Sequence, residues 1–198
     1  MKKKNELSGL ESLAVPCGVG AIVAFAASVS YCIWMSPWFV WTDHALSHLG
    51  QFGDCAWVFQ MGMMVTGALT LAFSYGVYVY LPSYVKPAAG GFMVAGAGLI
   101  GVGLFPDGVL HLASVALMLG ALAVGLFVLG SKTQGKRMSN VASVVLCIGM
   151  ASLFALHFFE GVAITETIVF LGVAVLIVLF TVDMMPGHRG FLEKKARI

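Results

Sequence analysis

Trp34-Met-Ser-Pro-Trp-Phe-Val-Trp-Thr-Asp-His-Ala-Leu-Ser-His-Leu-Gly-Gln-Phe-Gly-Asp54 is the stretch on which the reading of this chain turns. It holds three of the four Trp, two of the five His and two of the nine acidic residues of a protein otherwise rich in Leu, Val, Ala, Gly and Met. An apolar run lies on each side of it, 15–35 before and 56–81 after. A polar, aromatic segment between two such runs reads as a loop at a membrane surface, and the rest of the chain continues the pattern.

The composition excludes a soluble domain. The 198 residues are 60% hydrophobic and 10% charged, with a mean hydropathy of +0.96, whereas a soluble surface needs roughly 25% charged residues. A hydrocarbon core about 30 Å thick takes roughly 20 apolar residues per helix, and each span must satisfy its own backbone hydrogen bonds. Six stretches qualify: 15–35, 56–81, 88–105, 109–129, 141–159 and 161–182. The expectation is an all-α, polytopic six-helix bundle occupying 15–185, with an N-terminal tail (1–14) and a basic C-terminal tail (186–198). Unbroken apolar runs, without ten-residue alternation, argue against a β-barrel. The first run is longer than the apolar core of a signal peptide, and no small-x-small site precedes Ser36, so it reads as a true span.

Basic residues orient the bundle by the positive-inside rule. Lys2, Lys3 and Lys4 precede the first span, Lys86 joins the second and third, Lys132, Lys136 and Arg137 join the fourth and fifth, and Arg189, Lys194, Lys195 and Arg197 follow the sixth. A six-span count puts all of them on one side with both termini, which predicts a plasma-membrane protein with cytoplasmic ends. These cations read as topology and anionic-lipid contacts, not as a nucleic-acid surface. The other face collects Asp43, His44, His48, Asp54, Asp107, His111, His157, Glu160 and Glu166, an acidic, His-rich mouth. Trp34, Trp38, Trp41 and Trp57 share that level, as an interfacial belt does.

Thr42 is suited to cap a short surface helix in the first loop, with His44 and His48 four apart on one face and Trp41, Ala45 and Leu49 toward lipid. The third span is rich in Gly and Ala, which predicts close helix packing at the bundle centre. The sixth, with Val169, Phe170, Leu171, Leu176, Ile177, Val178, Leu179 and Phe180, reads as lipid-facing. Met61, Met63 and Met64 read as core filling. The four Cys show no paired spacing and read as buried thiols; Cys32 and Cys55 fall near one membrane face, where a bridge is open.

Three polar pairs carry helical spacing: His44/His48, Asp107/His111 and His157/Glu160. Residues three or four apart share a helix face, and bundles present metal ligands or proton relays in this way. Imidazole and carboxylate together suit a divalent metal such as zinc. The candidate ligands are His44, His48, His111 and His157, with Asp107, Glu160, Glu166 and Ser47 as candidate catalytic groups. His111 and His157 lie about one turn inside apolar runs, where polar groups are functional by default. For Glu160 and Glu166 a second role is equally open, accepting hydrogen bonds from loop amides.

Four motifs in order, Leu46-Ser-His-Leu-Gly50, Trp57-Val-Phe-Gln-Met-Gly-Met-Met, Gly101-Val-Gly-Leu-Phe-Pro-Asp107 with His111, and Gly161-Val-Ala-Ile-Thr-Glu166, resemble a six-helix family of bacterial and archaeal membrane proteins, domain of unknown function 998. The resemblance runs over about residues 15 to 185. It implies family positions at Ser47, Leu49 and Gly50, at Gly103, Phe105, Pro106 and His111, and at Glu166. In the family pattern the residue after the Ser is often acidic; here it is His48, so an acidic role is not carried over to that place. The resemblance supports fold and topology and brings no reaction.

Three functions fit the sequence. One is a metal-dependent membrane hydrolase or transferase acting on a lipid or amphipath, with the metal lowering the pKa of a bound water. The second is a non-catalytic lipid- or partner-binding module whose polar cluster ties the loops together. The third is a proton- or metal-coupled transporter, weakened by the lack of a mid-membrane charge and of an internal repeat.

Overall fold

The computed structural model describes residues 9–132, 144 and 163–184. Among the described residues there is no strand, and five helices are long and apolar enough to cross a membrane. They are α1 (Gly9–Met35), α2 (Ala56–Tyr80), α3 (Lys86–Leu104), α4 (Gly108–Lys132) and α5 (Ala163–Met184). These apolar helices mark a multi-pass membrane protein. They match five of the six expected spans; the expected span 141–159, apart from residue 144, lies outside the described residues, as do the C-terminal tail, His157, Glu160 and Cys147.

Proline and glycine place the helix ends. Leu81 leaves α2 in extended conformation ahead of Pro82, Pro87 opens α3, and Pro106 follows the end of α3 because a proline ring cannot continue an α-helix. At the start of α4, Gly108 adopts φ +74°, a left-handed backbone that side chains disfavour.

The helices pack α1 on α2, α2 on α3 and α3 on α4, and α5 returns against α1. Small residues make these seams. A Cβ on Gly62 of α2 would strike Ser28 of α1, one on Gly98 of α3 would stand 2.8 Å from the Met118 backbone nitrogen of α4, and one on Gly67 of α2 would stand 2.7 Å from the Gly96 carbonyl oxygen of α3. Without a hydrophobic drive between helices in lipid, such close backbone approach supplies the packing energy. The expected packing of the third span thus has its counterpart in α3, held between α2 and α4.

The sixth expected span corrects a reading. Leu171, Val175 and Val178 of α5 are exposed, but Leu176, Ile177 and Phe180 are buried. Phe180 meets Phe73 of α2 at 6.5 Å between ring centroids, and Phe170 stacks on Phe25 of α1 at 3.7 Å. An all-apolar helix has no polar stripe to mark its buried face, so sequence alone could not divide these residues.

Two cores result. One lies at the end bearing the first loop and gathers Val29, Cys32, Leu46, Leu49, Cys55, Phe59, Met63, Val102 and Ala163. The other lies toward the α2–α3 turn and includes Phe73, Val77, Leu81, Val85, Leu129 and Phe180. Met63 fills the first core as expected, whereas Met61 is exposed.

Candidate functional site

The first loop leaves α1 through backbone turns at Ser36 and Phe39 and then forms a 3-10 turn, Leu46–Gly50, instead of the surface α-helix expected from Thr42. The Thr42 hydroxyl donates to Asp43 (2.6 Å), not to a helix amide, and Ala45 stands at the N-cap. Leu49, expected toward lipid, is fully buried. Its burial and that of Leu46 seat the turn on the ends of α1 and α2.

Three polar bonds fasten the turn. Glu166, in the first turn of α5, accepts the Leu46 N–H on Oε2 at 2.7 Å. The Ala163 N–H, opening α5, donates to the His44 carbonyl at 3.0 Å. Gln60, one turn into α2, donates from Nε2 to the Gly50 carbonyl at 2.8 Å. Each satisfies a backbone group that the short turn leaves without a local partner, and an orphaned buried amide costs about 1–3 kcal/mol. Glu166 therefore takes the second of its two expected roles, that of an acceptor for a loop amide. Gln60 was not singled out from sequence, although a lone amide in an apolar helix is a signal that could have found it.

His44 and His48 do come together, with ring centroids 5.6 Å apart and planes at 81°. The route differs from the one expected: the bend before the 3-10 turn, not a helix face, brings them close. Trp38 closes a ring of aromatic contacts with them, edge-on to His44 at 5.3 Å and to Phe52 at 6.1 Å, while Phe52 meets His48 at 6.0 Å. Trp38 is thus a half-buried packing residue, unlike Trp34 (76% exposed), Trp57 (67%) and Trp41, which remain outside as a belt would.

The backbone assigns the protons of two of the three imidazoles. His44 Nδ1 lies 3.0 Å from the Val40 nitrogen and 3.2 Å from the Val40 carbonyl oxygen, so it accepts from the one or donates to the other according to its tautomer. The Ala45 N–H donates to His48 Nδ1 (3.4 Å), so in that neutral ring the proton sits on Nε2. His111 is the reverse: its Nδ1 lies 2.8 Å from the Phe105 carbonyl, which only accepts, so Nδ1 carries the proton and Nε2 holds the lone pair. His111 is 6% exposed. Burial, and then the neighbouring His44 and His111, hold His48 below the ordinary imidazole value.

Asp107 and His111 do not form the expected pair. Asp107 precedes α4, and the left-handed turn at Gly108 breaks the helical register that would have stacked the two. Asp107 is exposed while His111 is buried, and no hydrogen bond joins them among the described residues. Ser47 is half-buried in the 3-10 turn, where its hydroxyl has no hydrogen bond among the described residues. Among the described residues no group of three or more His, Cys, Asp or Glu side chains stands close enough to hold a metal ion. A groove of about 410 Å³ between α3 and α4, lined by residues such as Gly90, Val94 and Gly120, is apolar and contains none of these polar residues.

No curated protein and no solved structure matches this chain. A family model described as "Protein of unknown function (DUF998)" matches residues 19–183. That match takes in the first loop, the His111 turn and the Glu166 cap alike, and the chain belongs to the DUF998 family.

Proposed function

We propose that this protein is a non-catalytic membrane module whose first loop, on the outer face, holds the phosphate of a lipid headgroup. The observation that carries this reading is the pairing of two adjacent rings, His44 and His48, 5.6 Å apart between ring centres, of which His48 spends Nδ1 on the Ala45 N–H and so offers an Nε2–H donor. A zinc-binding histidine needs the opposite arrangement, a lone pair toward the metal and its other N–H donated to an acceptor. An Nε2–H donor beside a second imidazole suits an anionic oxygen, and exposed Trp34, Trp41 and Trp57 suit the headgroup layer around it.

Outward placement rests on the one-sided distribution of Lys and Arg. The six-span count gains support from parity: the first turn of α4, with His111 near His48, lies beside the loop, and α5 also begins there, at Ala163.

A metal-dependent hydrolase or transferase is the second reading, favoured by one observation, the Nε2 lone pair that His111 keeps. One experiment separates the two. Protein purified without chelator is examined for retained phospholipid by native mass spectrometry and for metal by elemental analysis. Retention that falls severalfold in a His44→Ala/His48→Ala variant of unchanged thermal stability supports the module. Undiminished retention overturns it, and stoichiometric metal lost in His111→Ala puts the enzyme in its place.

A further inference from the structure

Cys32, one turn before the end of α1, and Cys55, at the N-cap of α2, flank the whole first loop. Both are free and buried. They face each other reciprocally: the Cys32 thiol donates to the Cys55 carbonyl at 3.3 Å, and the Cys55 thiol lies 3.7 Å from the Cys32 carbonyl. Each sulfur therefore lies against the backbone of the other cysteine, which sets the two side chains next to each other. Ser36 Oγ, 3.5 Å from Cys55 Sγ, completes the polar surroundings of the pair. Cys17 lies elsewhere along α1, against the core at the opposite end.

We propose that Cys32 and Cys55 are an oxidisable pair and that their disulfide staples the end of α1 to the start of α2, locking the first loop on its seat. The oxidant is a disulfide, either a small one such as oxidised glutathione or that of a thiol–disulfide oxidoreductase. The thiolate of one cysteine attacks a sulfur of that disulfide, forming a mixed disulfide and releasing one thiol. The second cysteine attacks the protein-bound sulfur of the mixed disulfide, forming Cys32–Cys55 and releasing the other thiol. The two protons lost by the cysteines end on the two released thiols, and the two electrons reduce the oxidant. Exchange needs an exposed thiolate, so the bond forms when the first loop opens locally from its seat, and it is shielded again when the loop closes. The loop lies opposite the basic face, on the side of the membrane where disulfides persist. This pairing does not depend on what the loop binds.

The test uses full-length protein in native membranes, treated with oxidised glutathione, denatured, alkylated without reduction and digested. The expected result is a linked peptide pair containing Cys32 and Cys55, an intact mass lower by two hydrogens, and alkylation confined to Cys17 and Cys147. Cys32→Ser leaves Cys55 without its resolving partner and is expected to gain the mass of one glutathione instead. Alkylation of all four cysteines after oxidation overturns the proposal, as does a linked pair that includes Cys17 or Cys147. The wild-type mass decides the matter even if the serine variant fails to accumulate.

Discussion

The two ends of this bundle solve the same problem in opposite ways. At the α2–α3 end the connection is a few residues long, and its backbone satisfies itself: Leu81 N–H bonds to the Val77 carbonyl, and Val85 and Lys86 N–H both bond to the Pro82 carbonyl. At the loop end, some twenty residues lie between α1 and α2, and local turns such as His48 N–H to the Ala45 carbonyl are supplemented by partners from elsewhere, Glu166, Gln60 and Ala163. A turn that short closes on local bonds, but a long loop folded over the helix ends needs long-range polar partners for the backbone groups it buries. The same economy explains the residue types. The short end is dressed with Tyr75, Tyr78, Tyr84 and Lys86, while the loop end concentrates Trp, His and acid.

The largest perturbation should strike both ends together. Gly98→Leu drives a side chain into the α4 backbone at Met118, which cannot move aside as a flexible side chain can. A loss of about 3 kcal/mol or more is expected, read as a fall in melting temperature in detergent and as hydrogen exchange rising across α3 and α4. Val175→Leu, on an exposed face of α5, should stay within about 0.5 kcal/mol. Equal melting temperatures for the two variants would remove the close-packing argument.

Next in size, and confined to one end, is Glu166→Ala. It strips the acceptor from the Leu46 N–H and should cost about 1–3 kcal/mol. Glu166→Gln keeps a carbonyl oxygen there and should recover part of that loss. Hydrogen exchange should rise in residues 36–55 and stay unchanged in the α2–α3 turn; a rise at both ends would dissolve the contrast between them.

Acid sharpens the same contrast. His48 is held below its ordinary value of 6.5 in the folded protein. As pH falls through that value, the unfolded loop takes up a proton that the folded loop refuses, so stability is lost as pH falls below about 6.5 and is fully present above it. Melting temperature followed against pH should show this slope in wild type and lose it in His48→Gln. A slope unchanged in the variant would place the titrating group elsewhere.

The smallest effect belongs to the short end. Lys86 Nζ stands 4.7 Å from the Tyr78 ring centroid, a cation–π contact worth about 0.5–1 kcal/mol at an exposed site. Lys86→Ala should lower the melting temperature by no more than that contact supports and leave exchange in residues 36–55 untouched.

What the sequence determined by itself is one-dimensional: where the chain is apolar for about twenty residues, where Pro and Gly interrupt it, where small residues allow close packing, and that His111 sits inside an apolar run. Hydropathy is a local sum, so it survives ignorance of the neighbours. Tertiary structure alone decided who faces whom. Leu176 and Phe180 are buried and Val175 is not, although all three are apolar. Asp107 is exposed and His111 buried although they stand four apart, with a left-handed glycine between them. Glu166 meets Leu46, and Cys32 meets Cys55, across stretches of chain that no local period connects. In water a polar stripe would have announced the rotation of each helix. In lipid every face is apolar, and rotation is set by the shapes of the seams, which exist only once the helices have met.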